Sequence, residues 1–184
     1  MEQHIIFIAI QLEHNLNILY TWDGRREIPK HYLDNLEITK SFYPDATIFF
    51  VTKNPISAPA NVKIIDWNEY ILKVIDYFKL DEVWRLSNVI NASDWLRFYF
   101  LLQIPNLLYL DFDCKLLNKI PESDNFQFSK GNYCLLISPD NKDYQEPLKE
   151  ILSSFEVFHA TYGIYNKMIG IFEEIPREYF RHWS

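Results

Sequence analysis

Residues 106–113 read NLLYLDFD, an apolar run that ends in two aspartates flanking a phenylalanine. A run of this kind between turn residues predicts a buried strand of a parallel or mixed sheet. Residues two apart in an extended segment point to the same side, so Asp111 and Asp113 are predicted to share one face while Phe112 packs on the other. The two carboxylates would then emerge at the carboxyl edge of the sheet, where ligands of α/β proteins bind.

The acidic pair Asp111 and Asp113 has a chemical meaning beyond its position. Two neighbouring carboxylates repel each other unless they share a proton or a cation. Mg²⁺ and Mn²⁺ prefer carboxylate, phosphate and water oxygens, so one or two carboxylates with a diphosphate form a normal ligand set for either ion. The alternative interpretation is a solvated turn after a strand, because Asp-x-Asp is a common sequence.

A second polar pair lies just before this strand, in residues 92–103, which read ASDWLRFYFLLQ. These residues predict a helix that is apolar nearly all round and therefore buried. Its only charged residues, Asp94 and Arg97, are three apart and share a face. A structural interpretation places Asp94 in the first turn, after Asn91 or Ser93 as the N-cap, with Arg97 as its ion-pair partner. In the other interpretation both residues face a polar ligand, because a buried guanidinium suits a diphosphate or sugar hydroxyls.

The rest of the chain alternates strand-like and helix-like segments. Strands are predicted at 4–10, 16–21, 46–52, 62–65, 106–113 and 133–138, and helices at 30–43, 67–79, 92–103 and 144–154. This alternation predicts an α/β fold, with a mixed, mostly parallel sheet flanked by helices. The length of 184 residues favours a single domain over 1–184.

Composition narrows the function classes. The net charge of −7 and the lack of a dense Lys/Arg stripe argue against a nucleic-acid partner. With only 4 glycines, the chain has no glycine-rich phosphate loop. The two cysteines, Cys114 and Cys134, fit a reduced interior better than a disulfide framework. No signal peptide and no apolar stretch of about 20 residues are seen, so a soluble cytoplasmic protein is expected, with at most a peripheral membrane association.

Three segments together resemble the DXD-containing glycosyltransferases of family 32. The sequence SDWLR at 93–97 is followed by YLDFD at 109–113, like the family's S-D-x-x-R and Y-L-D-x-D. The sequence ILYTWDG at 18–24 resembles the family's first strand and Trp-x-Gly turn, and HWS at 182–184 resembles its closing His-Trp segment. One departure is Pro105-Asn106, which stands where the family usually has two glycines and predicts a changed turn.

The resemblance implies a GT-A fold, a Rossmann-type sandwich, and transfer of a hexose with retention. The implied partners are a UDP- or GDP-sugar donor and a glycan or other hydroxyl acceptor, with Mn²⁺ or Mg²⁺ as cofactor. The implied catalytic residues are Asp111, Asp113 and Arg97. The implied donor-binding residues are Trp22 (against the base), Asp94, Arg97 and Asp111. The implied metal ligands are Asp113, Asp111 and His182.

Two alternative functions stay open on the sequence. Asp-x-Asp after a strand also begins the site of haloacid-dehalogenase-like phosphatases, in which the first aspartate is the nucleophile. That motif normally follows the first strand of its domain, whereas here it lies past the middle of the chain. The other alternative is a non-catalytic module that binds a nucleotide or sugar, a degenerate transferase.

Overall fold

The computed structural model describes residues 16–24, 26–54, 59–80, 89–129, 134–153 and 160–182. The strand predicted at 4–10 lies outside these ranges. The first half of the described chain contains three strands and two helices: β1 (Asn17–Trp22), α1 (Lys30–Phe42), β2 (Thr47–Thr52), β3 (Lys63–Asp66) and α2 (Trp67–Phe78).

The second half begins with a helix and a buried strand and then adds short elements. These are α3 (Val89–Gln103), β4 (Leu107–Leu110), β5 (Cys114–Leu116), β6 (Gln127–Ser129), β7 (Leu135–Ser138), α4 (Gln145–Ser153), α5 (Ala160–Met168), β8 (Glu173–Ile175), a 3-10 turn (Arg177–Tyr179) and β9 (Phe180–His182).

Seven strands form one sheet in the order β3-β2-β1-β4-β7-β6-β8. Neighbouring strands pair in parallel except where β7 meets β4 and β6, so β7 alone runs against the others. Strands β5 and β9 form a separate antiparallel pair. The predicted α/β fold, with a mixed and mostly parallel sheet flanked by helices, is confirmed.

The central strand β4 is buried on both faces, and its side chains divide between two apolar clusters. Leu107 and Tyr109 belong to the cluster that contains residues of α2 to α5. Leu108 and Leu110 belong to the cluster on the α1 side. Because side chains alternate along a strand, the residue after β4 on the Tyr109 side is Asp111, and the residue on the α1 side is Phe112.

Two boundaries differ from the predictions in a way that affects the site. The strand predicted at 106–113 ends at Leu110, because the chain turns at Phe112 and Asp113 and the Cys114 N–H donates to the Asp111 carbonyl at 2.9 Å. The helix predicted at 92–103 begins earlier, at Val89.

The Pro105-Asn106 turn takes the backbone shape that glycine would supply. Asn106 has a φ of 50°, in the left-handed region that glycine favours and asparagine tolerates. Its carbonyl accepts from the Asn17 N–H at 2.9 Å, and its own N–H donates to the Pro139 carbonyl at 3.0 Å. The departure from two glycines therefore leaves β4 paired beside β1.

No helix in the described ranges is long and apolar enough to cross a membrane.

Candidate functional site

The two aspartates meet because the chain turns sharply after β4. The Asp111 N–H donates to the Cys134 carbonyl at 2.7 Å, next to β7, so the turn is attached to the neighbouring strand. Asp111 and Asp113 therefore do not lie along an extended segment as predicted. Phe112 is buried, as predicted, and both cysteines are buried free thiols.

Pairing of β5 with β9 adds a third polar group. Cys114 lies opposite His182 in this pair, and His182 Nε2 is 3.2 Å from Asp113 Oδ1. One ligand atom each from Asp111, Asp113 and His182 lie within 4.8 Å of one another. Two carboxylates and an imidazole form a donor set that suits a divalent cation.

The electrostatics of the turn also favour a cation. Burial, followed by repulsion from Asp111, raises the pKa of Asp113, although His182 acts in the opposite direction. A raised pKa means that the ionised carboxylate is unfavourable in the folded protein. A bound cation would remove this penalty, so the residues present fit a metal ion.

Arg97 supplies the fixed positive charge beside the turn. The residue is 6% exposed. Its guanidinium hydrogen-bonds Asp94, lies 3.5 Å from Asp111 Oδ1, and stacks 4.6 Å from the centre of the Tyr109 ring. Burial is the largest single influence and opposes its charge, but the attractions to Asp111, Asp94 and other neighbouring groups together outweigh burial and raise the pKa of Arg97, so the side chain stays protonated. The sequence predicted that Arg97 and Asp94 act together, and the structure confirms their contact.

The structural explanation for Asp94 as a first-turn residue is wrong. Helix α3 begins at Val89, so Asp94 lies in its second turn, and Asn91 and Ser93 lie within the helix. Burial raises the pKa of Asp94, and attraction to Arg97 lowers it. Repulsion from Asp111 also raises the pKa of Asp94, because Asp94 lies on the side of the helix that faces the acidic turn.

Three hydroxyl groups that the sequence reasoning missed connect β1, β4 and α3 at this edge. The Tyr109 hydroxyl donates to the Asp111 carboxylate and lies 3.3 Å from Thr21 Oγ1, which is 2.7 Å from Ser93 Oγ. Burial raises the pKa of Tyr109 well above its usual range, so the phenol remains a donor. Tyr109 stands two residues before Asp111, and this spacing is the only sequence signal that could have indicated the contact between the two side chains.

A cleft of about 370 Å³ opens over these groups, and Trp22, Arg97, Asp111 and Asp113 are among its lining residues. The Trp22 indole N–H donates to the Arg26 carbonyl at 3.1 Å, and its ring meets Tyr32 edge-on at 6.0 Å. Trp22 therefore both packs against other aromatic residues and lines the cleft.

A larger cavity of about 620 Å³ lies at the opposite edge of the sheet, beside the end of α1 and residues 119–124. Its size does not make it the better candidate site. The group of Asp111, Asp113 and His182, the one metal-ligating cluster found among the described residues, lies at the other edge.

Gly24 shapes the turn after β1. Its φ is 74°, and a Cβ on it would lie 2.8 Å from the Asn54 Cβ and 2.9 Å from the Asn54 nitrogen. Both distances are too short for a side chain. The Trp-x-Gly turn thus needs glycine for backbone conformation and for space.

Replacing Gly24 with alanine is expected to destabilise the fold more than the same change at Gly170. Gly170 also has a left-handed φ, of 83°, but open space around its Cβ position. Gly170→Ala should lower the free energy of unfolding by about 1–2 kcal/mol through backbone strain alone. Gly24→Ala should lower the free energy of unfolding by the same strain and by a further loss of about 1–3 kcal/mol from the overlap with Asn54. Urea denaturation measures both, and equal losses would contradict the steric account.

Solved structures with a similar fold are transferases. The chain is similar to PaToxG Glycosyltransferase with a TM-score of 0.58 and 15% identity, covering 84% of this chain and 68% of that one. It is similar to a mutant transferase with a TM-score of 0.55 and 15% identity, covering 91% and 94%. It is also similar to a transferase with a TM-score of 0.51 and 15% identity, covering 92% and 93%.

The similarity covers 84% or more of this chain in each of the three comparisons. The fold is that of the GT-A glycosyltransferases. In this GT-A sheet the cluster of Asp111, Asp113 and His182 lies beyond the carboxyl ends of β1 and β4. No family model matches the sequence, and no curated protein matches it. The resemblance to family 32 therefore stays a prediction.

Proposed function

We propose that the chain is a metal-dependent glycosyltransferase. It would transfer a hexosyl group from a UDP- or GDP-sugar to a hydroxyl of a glycan or other acceptor, with Mn²⁺ or Mg²⁺ as cofactor. The observation that carries the proposal is the group formed by Asp111, Asp113 and His182 beside the buried Arg97, at the carboxyl edge of a GT-A sheet.

The proposed chemistry divides between the ion and the side chains. Asp113, His182 and Asp111 would hold the ion, which when bound would neutralise charge on the leaving diphosphate. The imidazole of His182 favours Mn²⁺ over Mg²⁺, because Mg²⁺ takes mainly oxygen ligands. Arg97 would add a positive charge that needs no rearrangement during the reaction, since Asp94 already holds it.

The donor would occupy the cleft between β1 and β4. Trp22 would pack against the base at the cleft wall, and Asp94, Arg97 and Asp111 would contact the ribose or sugar. The bond from the sugar C1 to the diphosphate oxygen breaks, the acceptor oxygen bonds to C1, and the proton of the acceptor hydroxyl passes to the leaving diphosphate. Retention of configuration belongs to the proposal through the resemblance to family 32.

The phosphatase alternative is less well supported. Its acidic motif normally follows the first strand of the domain, whereas Asp111 follows β4, on the far side of β1 from β2 and β3. Asp111 also accepts from the Tyr109 hydroxyl and lies beside Arg97, which lowers its nucleophilicity. A trapped aspartyl-phosphate on Asp111 would restore this alternative.

Titration calorimetry with UDP and GDP, with and without Mn²⁺, tests the proposal. We expect one nucleotide to bind in the presence of Mn²⁺ and to bind at least about 10-fold more weakly after chelation. A panel of UDP- and GDP-sugars, monitored by released nucleotide, then distinguishes an active enzyme from a binding module. Absence of binding to both nucleotides in Mn²⁺ would rule out the transferase.

A further inference from the structure

Asn35 is a buried polar residue in the middle of α1. Asn35 is 4% exposed and lies on the helix face that carries Leu36 and Thr39 toward the sheet. Asparagine is a weaker helix former than leucine or alanine, and a buried amide is costly unless it is hydrogen-bonded. Helix propensity and desolvation alone would therefore favour an apolar residue at this position, so the hydrogen bond that the Asn35 amide makes has to offset both.

The side chain of Asn35 reaches the acidic turn. Its Nδ2 donates to the Phe112 carbonyl at 3.2 Å, in the peptide between the two aspartates. Two other backbone groups of the turn bond to backbone: the Asp111 N–H donates to the Cys134 carbonyl, and the Asp111 carbonyl accepts from the Cys114 N–H. Asn35 is thus a side chain of α1 that hydrogen-bonds the turn directly.

The Phe112 ring is held on the same side of the sheet. Its centre lies 4.8 Å from that of Tyr20, 5.4 Å from that of Phe50 and 6.0 Å from that of Trp22. The ring packing fixes where Phe112 sits, and the bond from Asn35 fixes how its peptide is rotated. That rotation sets the directions in which Asp111 and Asp113 leave the backbone.

We propose that Asn35 is a positioning residue that orients the Phe112 peptide and thereby sets the spacing of the Asp111 and Asp113 carboxylates for a divalent cation. This inference rests on the proposed function, because it requires the acidic turn to bind a metal. Second-layer hydrogen bonds of this kind typically change metal affinity by about 10- to 100-fold.

Helix α1 offers a matched control. Thr39 is completely buried on the same helix, accepts from the Tyr20 hydroxyl at 3.0 Å, and donates to the Asn35 carbonyl at 3.0 Å. Thr39→Val removes these two buried hydrogen bonds, neither of which is made to the turn. A purely structural role for Asn35 predicts that Asn35→Leu and Thr39→Val behave alike.

The experiment compares wild type, Asn35→Leu and Thr39→Val by urea denaturation and by Mn²⁺ titration monitored by electron paramagnetic resonance of free Mn²⁺. We expect both variants to lose stability, and Asn35→Leu alone to weaken Mn²⁺ binding by about 10- to 100-fold. If the leucine variant does not fold, Asn35→Ala replaces it, because alanine is a good helix former and is smaller than asparagine. This variant should show the same loss of Mn²⁺ affinity.

The outcomes separate the inference from the function. Mn²⁺ affinity within about 2-fold of wild type in the folded Asn35 variants would overturn the positioning role and leave the proposed function intact. An equal loss of affinity in Thr39→Val would also overturn it, because the effect would then be general loosening of α1. A wild-type chain that does not bind Mn²⁺ would overturn both.

Discussion

Replacing Asp113 with asparagine is expected to weaken Mn²⁺ binding by at least about 100-fold, with a comparable loss of any sugar transfer. The amide has the same shape as the carboxylate but no charge, and it is a poorer ligand for a hard cation. Without metal, the same change should raise the free energy of unfolding. Burial and repulsion from Asp111 raise the pKa of Asp113, so its ionised form destabilises the folded chain at neutral pH.

Opposite effects on metal affinity and stability would identify Asp113 as a site residue rather than a structural one. Mn²⁺ titration and urea denaturation in chelator measure the two effects. Asp45→Asn, at an exposed position on the opposite edge of the sheet, is the matched control and should change neither. Wild-type Mn²⁺ affinity in Asp113→Asn would exclude this carboxylate as the chief ligand.

Replacing Arg97 with leucine is expected to lower the free energy of unfolding by about 3–5 kcal/mol. The guanidinium is the counter-charge for Asp94, its hydrogen-bond partner, and for Asp111. Removing it leaves the partly buried Asp94 carboxylate without its cation, in a place where burial already raises the pKa of that group. Urea denaturation of the metal-free chain measures the loss.

A double variant tests whether this loss arises from the unpaired charge. Adding Asp94→Asn to Arg97→Leu removes the carboxylate that the first change isolates, so part of the lost stability should return. Nucleotide binding should stay weak in both variants, because the charge facing the diphosphate is gone. If the double variant is as unstable as the sum of the two single changes, packing rather than charge explains the role of Arg97.

Long apolar runs and hydrophobic periodicity over many residues allowed the main strands and helices to be predicted from the sequence. The apolar run before Asp111 is β4, and the nearly all-apolar helix with one charged pair is α3. The short strands β5, β6, β8 and β9 were not predicted, because each has three residues and is defined by its partner strand. Three residues contain no periodicity from which a strand can be recognised.

The charged residues of the candidate site were easier to predict from the sequence than the residues that support them. Asp94 and Arg97 are conspicuous because the rest of their helix is apolar, and His182 was indicated only by the resemblance to family 32. Tyr109 and Asn35 were missed, because a tyrosine in a buried strand and an asparagine in a helix have ordinary structural explanations. Their contacts with the acidic turn depend on how β4 and α1 pack, which the sequence pattern does not specify.

The pairing of β5 with β9 brings together proposed metal ligands that are distant in sequence. Asp113 lies just before β5, whereas His182 ends β9, and β6, β7, α4, α5 and β8 all lie between them in sequence. An ion held by both residues would close that whole segment into a loop and stabilise the folded state in proportion to its binding free energy. Detachment of the three-residue strand β9 would release the His182 imidazole and weaken binding of the ion. Cation affinity would therefore report whether the second half of the fold is intact.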